Sequence, residues 1–364
     1  MVIGILGAGQ LARMLALAGK PLGLQFIFLD PTPIACAAEL GEHLIGDYTD
    51  KALLTDLAKR CDIITYEFEN VPLEIIEFLN QQTPVYPPAK ALEIGQDRIT
   101  EKTFLNDLAI ETAPFQAVSS LTELKAAMPT IGYPAILKTR RLGYDGKGQV
   151  VLNSNDDLTS AWQAVKNAPC VVEGFVAFQR EVSIIASRSV AGEIVYYPLS
   201  ENQHEKGILR LATAIPNDAL QSQAEQLIHS LLIALDYVGT LALELFVVGD
   251  KLIANEFAPR VHNSGHWTIE GSETSQFENH LRAIIDLPLG DTKTLGYVAM
   301  QNFIGNIPDI KTLLSIPQLH LHLYNKAPRK GRKIAHASLR TDSLMHFNDA
   351  ISTLTELAAS SDDS

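Results

Sequence analysis

The stretch that decides the fold lies in the last third of the chain and reads Asn255-Glu256-Phe257-Ala258-Pro259-Arg260-Val261-His262-Asn263-Ser264-Gly265-His266-Trp267. It brings a carboxylate, a guanidinium, two imidazoles, two amides and a hydroxyl into one short segment. Groups of this kind are costly to bury unless they have partners. The segment is therefore a candidate part of a functional site.

Two predicted strands, 241–248 and 251–257, lead into this segment and are joined by the polar turn Gly249-Asp250. A three-residue loop would place Glu244 opposite Glu256 on one face, whereas a two-residue loop would place them on opposite faces. Facing carboxylates repel each other, but Mg²⁺ favours one or two carboxylates together with phosphate oxygens. The hairpin indicates either a Mg-nucleotide site or two solvent-facing glutamates.

Composition limits the class of protein. A chain of 364 residues suits two or three domains, and 46% hydrophobic with 20% charged residues is typical of a globular protein. The net charge of -13 argues against broad binding to nucleic acid or anionic membranes, but it is compatible with a local basic pocket for one phosphorylated metabolite. We therefore expect small-molecule partners.

The cysteines and the N-terminus indicate a cytoplasmic location. Cys36, Cys61 and Cys170 are odd in number and lack C-x-x-C spacing, which predicts neither a disulfide framework nor a zinc cluster. The N-terminus lacks the pattern of a signal peptide, and no apolar run reaches the roughly 18 residues of a membrane span.

The hydrophobic pattern predicts an α/β region followed by an α+β region. Residues 2–6, 24–30 and 63–66 resemble strands that alternate with helices, as in parallel β/α winding. The middle of the chain contains strands, a glycine-rich loop and a helix over 221–235, and a smaller tail follows Pro288.

The N-terminal glycine motif Gly7-Ala8-Gly9-Gln10-Leu11-Ala12 follows a strand and opens a helix, with Asp30 at the end of the next strand. This arrangement matches a dinucleotide fingerprint. A helix N-terminus also binds isolated phosphates, because its free N–H groups attract anions. A phosphate-bearing substrate, a dinucleotide and simple packing all remain open at this point.

Further candidate residues follow the same logic. The loop from Gly143 to Gln149 has glycines that let N–H groups approach phosphate, although it lacks the Walker A pattern and could be a plain turn. Lys138 ends a buried-looking strand and needs an anionic partner. Glu67 and Asn70 follow a strand, where they could bind a ligand or cap a helix. A basic cluster in the tail, which is either a phosphate site or a solvated face, comprises Lys326, Arg329, Lys330, Arg332 and Lys333.

The order of these motifs resembles that of the ATP-grasp ligases, and among them the N5-carboxyaminoimidazole ribonucleotide synthases of purine biosynthesis. The resemblance extends over almost the whole chain and is most specific in the segment that ends at Trp267. It implies an ATP-grasp fold with an N-terminal Rossmann-like domain at 1–96, an ATP-grasp domain at 97–290 and a small β-rich C-terminal domain at 291–364. It also implies a homodimer.

The resemblance also implies roles for individual residues. For ATP and Mg²⁺ (or Mn²⁺), the implied residues are Arg98, Lys138, Gly143, Tyr144, Asp145, Gly146, Lys147, Gly148 and Gln149 at the phosphates, Glu173, Gly174, Phe175 and Val176 at the adenine, Glu181 and His204 at the ribose, and Asn255, Glu244 and Glu256 at the metal. For 5-aminoimidazole ribonucleotide, they are Gln10, Leu11, Glu67, Asn70, Lys326 and Arg332. Tyr144, Asp145, Lys147, Arg260 and His262 would surround bicarbonate and the reacting amine.

The implied reaction is attack of bicarbonate on ATP to give carboxyphosphate, followed by transfer of carbon dioxide to the amine, under a loop that excludes water. One departure from the family pattern is Lys138-Thr139-Arg140-Arg141-Leu142, where some members carry a second glycine. Two alternatives are a formate-dependent glycinamide ribonucleotide transformylase, which is also an ATP-grasp ligase, and an NAD-binding oxidoreductase or regulator built on the Gly7 motif.

Overall fold

The computed structural model describes residues 1–143 and 146–362. The strands are β1 (Val2–Leu6), β2 (Gln25–Asp30), β3 (Glu42–Ile45), β4 (Ile63–Tyr66), β5 (Phe115–Val118), β6 (Ala135–Thr139), β7 (Gln149–Leu152), β8 (Cys170–Gly174), β9 (Arg180–Arg188), β10 (Ile194–Tyr196), β11 (Ser200–Glu205), β12 (Ile208–Ala214), β13 (Gly239–Val248), β14 (Lys251–Ala258), β15 (Tyr297–Ile304), β16 (Leu319–Leu323) and β17 (Lys333–Thr341). The α-helices are α1 (Gln10–Gly19), α2 (Lys51–Arg60), α3 (Leu73–Asn80), α4 (Ala89–Gly95), α5 (Arg98–Asp107), α6 (Leu121–Ile131), α7 (Leu158–Ala164), α8 (Gln221–Ala234), α9 (Thr268–Gly271), α10 (Gln276–Ile284), α11 (Ile310–Leu314) and α12 (Leu344–Asp362).

The N-terminal region is a parallel four-stranded sheet in the order β3-β2-β1-β4. β1 and β2 are short apolar runs buried on both faces, as strands between two helical layers require. Their carboxyl ends meet at one edge of the sheet, where Gly7, Asp30 and Glu67 follow β1, β2 and β4. The predicted Rossmann-like winding is confirmed, and its ligand-binding edge faces the rest of the molecule.

A second four-stranded sheet, in the order β5-β8-β6-β7, is antiparallel throughout. Its apolar face packs on α6 and α7 around Leu124, Leu137 and Trp162. The glycine-rich loop is the connection between the two strands of the β6–β7 hairpin. This small sheet therefore presents Lys138 and the loop as one unit.

The remaining strands form one nine-stranded sheet, with β14-β13-β9-β11-β12-β15-β17-β16 in order and β10 beside β9. α8 covers the face lined by Val182, Leu241 and Leu243. β12 pairs directly with β15 through Leu211 and Gln301, so the sheet continues across the predicted boundary at residue 290. The tail is built onto the ATP-grasp sheet and does not form a sheet of its own among the described residues. Among residues 1–143 and 146–362, no helix has the length and apolar character that a membrane crossing requires.

The hairpin β13–β14 places Glu244 opposite Glu256, as predicted, but by a different route. Val248 pairs with Lys251, so the loop is the two-residue Gly249-Asp250. Of the two loop lengths that the sequence left open, the two-residue loop is the one present. A β-bulge leaves Asn255 as an extra residue and shifts the register just before the glutamates, because a bulge places two residues of one strand opposite one of its partner. The bulge restores the facing carboxylates that this loop alone would separate.

Candidate functional site

A cleft of about 660 Å³ lies where the three sheets meet. Its walls come from the edge of the N-terminal sheet, the β6–β7 hairpin, β9, the turn between β11 and β12, the β13–β14 hairpin and the tail. The predicted site residues that line it are Gln10, Leu11, Glu67, Asn70, Arg98, Lys138, Gly143, Gly146, Lys147, Gln149, Glu181, His204, Glu244, Asn255, Glu256, Arg260, His262 and Lys326. Residues that are far apart in the sequence are therefore collected in one place.

Some predicted residues lie elsewhere. Tyr144 and Asp145 lie outside the described residues. The lining of the cleft does not include the described residues Gly148, Glu173, Gly174, Phe175, Val176 and Arg332. Of these, Glu173 has a clear physical reason for its position: its carboxylate is buried and lies 3.0 Å from Lys138 Nζ and 3.4 Å from Lys102 Nζ.

Glu173 therefore positions Lys138, which lines the cleft, without lining the cleft itself. Burial acts to raise its pKa, but Lys138 and Lys102 outweigh burial and hold the pKa of Glu173 below its usual range. The ionised carboxylate compensates the charge of Lys138 at the end of β6, where a lone buried ammonium would be unfavourable. The side chain of Glu173 therefore acts on the cleft through Lys138, and a contact of this segment with adenine stays a prediction.

The facing glutamates are both engaged with cations or donors. Glu256 pairs with Arg98, and Glu244 Oε1 lies 3.1 Å from His262 Nε2. Burial alone would raise the pKa of Glu256, but Arg98 and Lys138 lower it to about 2. Glu256 is therefore ionised at neutral pH, as a metal ligand must be.

The chemistry of the donors fits Mg²⁺. In the described part of the chain, no group of three or more His, Cys, Asp or Glu side chains could hold a metal by itself. Mg²⁺ nevertheless commonly uses one or two carboxylates when substrate phosphates complete its shell. Glu244 and Glu256 meet that description.

Arg260 joins the hairpin to the N-terminal region. Its guanidinium forms a two-pronged contact with the Glu69 carboxylate, with Nη2 3.1 Å from Oε1, and it also donates to the Val261 carbonyl. Such paired contacts fix a guanidinium in one plane. Burial opposes ionisation of Glu69, but Arg260 lowers its pKa, so both charges persist. The cleft thus keeps a fixed positive group between its two ends.

The N-terminus of α1 is already in contact with an anion. Glu67 accepts hydrogen bonds from the backbone N–H groups of Gly9 and Ala12. A Cβ at Gly7 or Gly9 would approach Glu67 side-chain atoms to 2.5 Å, which explains both glycines. A dinucleotide pyrophosphate at these N–H groups would meet a carboxylate, so the dinucleotide interpretation of the motif is disfavoured. Next to this helix, Lys326 Nζ donates to Gln10 Oε1.

The glycine-rich loop rests against a turn of the large sheet. Gly146 has a φ of +73°, and a Cβ there would lie 2.8 Å from the Lys206 carbonyl oxygen. At the base of the loop, Arg140 and Arg141 lie 2.9 and 3.2 Å from Asp97, which also caps α5. The loop is therefore anchored by charge at its base and by close backbone packing at Gly146.

Several residues of the cleft were missed from the sequence. The rings of Phe178 and Phe246 stack at 4.8 Å with an angle of 11° between them, and both line the cleft. Phe246 lies two residues beyond Glu244 on β13 and shares its face, so strand periodicity could have revealed it. Phe178 lies in an irregular segment without such a signal. Glu69, Asn263 and Lys333 also line the cleft; Asn263 and Lys333 belong to segments that the sequence had singled out, but no individual role was predicted for them.

Comparison with known proteins defines the class. Family models match residues 1–96 as a ribonucleotide synthetase preATP-grasp domain, residues 103–277 as an ATP-grasp domain and residues 298–349 as a phosphoribosylaminoimidazole carboxylase C-terminal domain. The protein is an ATP-grasp enzyme, and it binds ATP.

Individual relatives narrow the class to one family. The N5-carboxyaminoimidazole ribonucleotide synthase of Pseudomonas aeruginosa is 54% identical over 93% of this chain and 94% of its own length. The crystal structure of the Thermus thermophilus enzyme of that name has a TM-score of 0.94 and 50% identity over 98% of both chains. An Aspergillus clavatus enzyme solved with ADP and 5-aminoimidazole ribonucleotide has a TM-score of 0.92 at 30% identity over 98% of both chains. The chain belongs to the N5-carboxyaminoimidazole ribonucleotide synthase family and is thus a ligase of purine biosynthesis.

Proposed function

We propose that this ligase carboxylates the exocyclic amine of 5-aminoimidazole ribonucleotide with bicarbonate and ATP, releasing ADP and phosphate through carboxyphosphate. The observation that carries the proposal is one cleft, which joins the two facing carboxylates and Lys138 at one end to Gln10 and Lys326 at the other. Carboxyphosphate forms at the ATP site and is used at the ribonucleotide site. An enzyme with this reaction therefore needs both sites in the same cleft.

ATP occupies the end of the cleft between the small and large sheets. Arg98 and Lys138 neutralise its phosphates, and the loop with Gly146 and Lys147 covers them. Glu244 and Glu256 hold Mg²⁺ (or Mn²⁺), which when bound neutralises charge on the transferring phosphoryl group. Phe178 and Phe246 offer an aromatic surface for the base. The remaining proposed contacts are Gly143, Tyr144, Asp145, Gly148 and Gln149 in the loop, the segment Glu173, Gly174, Phe175 and Val176, and Glu181, His204 and Asn255.

The ribonucleotide substrate occupies the end of the cleft at the N-terminal sheet. The N–H groups of Gln10 and Leu11 lie beside those that Glu67 occupies, and Lys326 supplies positive charge at the same helix end. Glu67 and Asn70 are then placed to contact the sugar, while Arg332 and Lys333 extend the basic surface.

Bicarbonate binds where the two ends meet. Arg260 and His262 line this part of the cleft, and Tyr144, Asp145 and Lys147 are proposed to complete it. The fixed guanidinium of Arg260 stabilises the negative oxygens of bicarbonate and carboxyphosphate. Closure of the loop excludes water from the fragile mixed anhydride.

The proposal also includes the domain boundaries, the assembly and the cellular location. The domains are 1–96, 97–290 and 291–364, with the reservation that a continuous sheet crosses the last boundary. The assembly is a homodimer, as the resemblance to the family implies. The location is cytoplasmic, where ATP and purine intermediates are available.

The reaction is tested by measuring ADP release with ATP, Mg²⁺ and bicarbonate while the aminoimidazole is followed chemically. Loss of aminoimidazole coupled to ADP supports the proposal. ADP release that ignores this nucleotide but responds to formate and glycinamide ribonucleotide would favour the transformylase alternative. Arg260→Ala is expected to abolish carboxylation and to leave ADP binding nearly intact; normal product formation by this variant would contradict the proposed site.

A further inference from the structure

The imidazole of His262 is held from both sides by groups with fixed hydrogen-bonding roles. On one side, Nε2 lies 3.1 Å from Glu244 Oε1, within reach of an N–H on Nε2. On the other side, the backbone N–H of Ser264 donates to Nδ1 at 3.4 Å, and an amide N–H can only donate. These two contacts together require a lone pair on Nδ1 and a proton on Nε2.

A relay of buried hydroxyls reinforces this choice. Ser264 Oγ lies 2.9 Å from Nδ1, and Ser183 Oγ donates to Ser264 Oγ at 2.7 Å. Asn202 Nδ2 in turn donates to Ser183 Oγ at 3.1 Å. Because Ser264 Oγ accepts the hydroxyl hydrogen of Ser183, its own hydroxyl hydrogen is directed at Nδ1 of His262. The relay therefore runs in one direction, from Asn202 to His262.

The backbone of His262 is fixed as well. Its N–H donates to Gln276 Oε1 at 2.9 Å, and Gln276 Nε2 donates to its carbonyl at 2.6 Å. Gln276, Ser183 and Ser264 are all fully buried. A Cβ at Gly265 would lie 2.8 Å from Gln276, so only glycine admits this clamp. Neither the ring nor the backbone of His262 has freedom to rearrange.

We propose that Ser264 and Ser183 are positioning residues that hold His262 in its Nε2–H form, so that His262 serves the reaction as a hydrogen-bond donor to an oxygen of bicarbonate or carboxyphosphate. This inference rests on the proposed function, which places bicarbonate beside His262. A ligand oxygen that replaced Glu244 at Nε2 would receive the same N–H. The amine proton is then taken by a group other than Nε2 of His262.

The test combines nitrogen NMR with kinetics on the full-length protein. With ¹⁵N-labelled histidine, the resonances lost in His262→Ala identify this residue. Because Nδ1 faces the N–H and hydroxyl of Ser264, the wild-type enzyme is expected to show a proton on Nε2 and none on Nδ1. Ser264→Ala is expected to mix the two tautomers and to lower kcat about tenfold, the rate equivalent of one lost hydrogen bond, without changing KM for ATP. Ser264→Thr keeps the hydroxyl and should retain the wild-type spectrum.

A matched control is available on the same strand. Ser187 is equally buried on β9 and shares a 2.7 Å hydrogen bond with Thr240, away from the cleft. Ser187→Ala should cost similar stability and leave both kcat and the His262 spectrum unchanged. Ser183→Ala, which removes the middle of the relay, should give a weaker form of the Ser264→Ala effect.

The outcomes separate this inference from the proposed function. An Nδ1–H tautomer in the wild-type enzyme, or wild-type kcat and spectrum in Ser264→Ala, would overturn the inference while carboxylation persisted. Full carboxylation by His262→Ala would instead remove His262 from the proposed bicarbonate site.

Discussion

Single charged residues in the cleft are held in place by charged partners, of which Glu173 is buried and Arg98 and Glu69 are partly buried. Lys138 depends on Glu173, Arg260 depends on Glu69, and Glu256 depends on Arg98. Removing one member of a buried pair leaves an uncompensated charge, which costs more than the pair contributes. Each pair therefore keeps its charges positioned before any substrate arrives.

Glu256→Gln tests the metal role at the scale of one residue. The change keeps the size of the side chain and removes the charge that Mg²⁺ requires. We expect the Mg²⁺ concentration for half-maximal ADP release to rise by more than about tenfold. Glu201→Gln is the control, because Glu201 is similarly exposed (35% against 37%) and is also paired with an arginine in the same sheet. An unchanged Mg²⁺ titration in Glu256→Gln would count against the role.

His280 predicts a dependence of stability on pH. It is fully buried, accepts from the Thr240 N–H through Nδ1 at 3.1 Å and contacts Thr65 Oγ1 through Nε2 at 3.0 Å. Burial lowers its pKa from 6.5 to about 3. The unfolded chain therefore binds a proton that the folded chain does not, so the stabilisation is complete above pH 6.5 and is lost as the pH falls toward 3.

His280→Gln should reduce this acid sensitivity. The contribution of the wild-type histidine to the loss of stability between pH 7 and pH 5 is about 2 kcal/mol. The measurement is the free energy of unfolding in urea at both pH values. His320→Gln, which removes an exposed histidine from β16, is the control. Equal pH slopes for His280→Gln and the wild-type protein would show that burial of His280 is not responsible.

Most residues of the site were predictable as a set, but the contacts between them were not. Lys138, Glu244, Glu256 and Arg260 indicated a phosphate and metal site, because cationic side chains can bind phosphates and paired carboxylates can bind Mg²⁺. The pairing of Glu173 with Lys138 depends on how β6 and β8 align, which no local pattern encodes. The same limit applies to Glu67, whose partners at the start of α1 are 55 or more residues away.

Among the elements, the hairpin β13–β14 shows how a local irregularity can decide function. The turn residues Gly249-Asp250 could be recognised from the sequence. The bulge at Asn255 could not, because a bulge is defined by the alignment with the partner strand and has no clear local sequence pattern here. Without the bulge, Glu244 and Glu256 would lie on opposite faces. An extra residue in one strand thus makes the proposed metal site possible.

The contact between the glycine-rich loop and the β11–β12 turn can be tested by Gly146→Ala. The added Cβ would lie 2.8 Å from the Lys206 carbonyl oxygen, so the loop must shift away from the turn. We expect KM for ATP to rise several-fold and the melting temperature to stay unchanged, since the loop covers the nucleotide and contributes little to the core.

Gly132→Ala separates this contact from backbone strain. Gly132 also has a positive φ, +82°, but nothing lies within 4 Å of a Cβ at that position. Both variants place an alanine at a positive φ, which is unfavourable for a residue with a Cβ. If Gly132→Ala raised KM for ATP as much as Gly146→Ala, the turn contact would not explain the effect.

At the scale of the whole molecule, the tail and the ATP-grasp region share one sheet. β15 is buried along nearly its whole length and pairs with β12 on one side and β17 on the other. The resemblance to the family implied a separate small domain at 291–364, in the tail that begins beyond Pro288. Sheet membership depends on long-range pairing, which composition does not report.

A chain truncated after residue 290 should therefore fail to fold. Removal of 291–364 would expose β12 as an apolar edge and uncover Leu211 and Tyr197, both fully or nearly fully buried. We expect aggregation on size-exclusion chromatography and loss of ADP binding. A soluble truncated protein that still bound ADP would show that the tail is an independent unit.

The continuous sheet also has a consequence for the order in which products leave. Glu244, Glu256 and Lys333 lie on strands of this sheet, and Lys326 lies in the connection between β16 and β17, so the metal carboxylates and the basic residues of the tail move as one body. Lys138 and the glycine-rich loop belong to the small sheet, which shares no ladder with it. We expect that outward movement of the small sheet would uncover the nucleotide before the ribonucleotide, so that ADP leaves before the unstable carbamate.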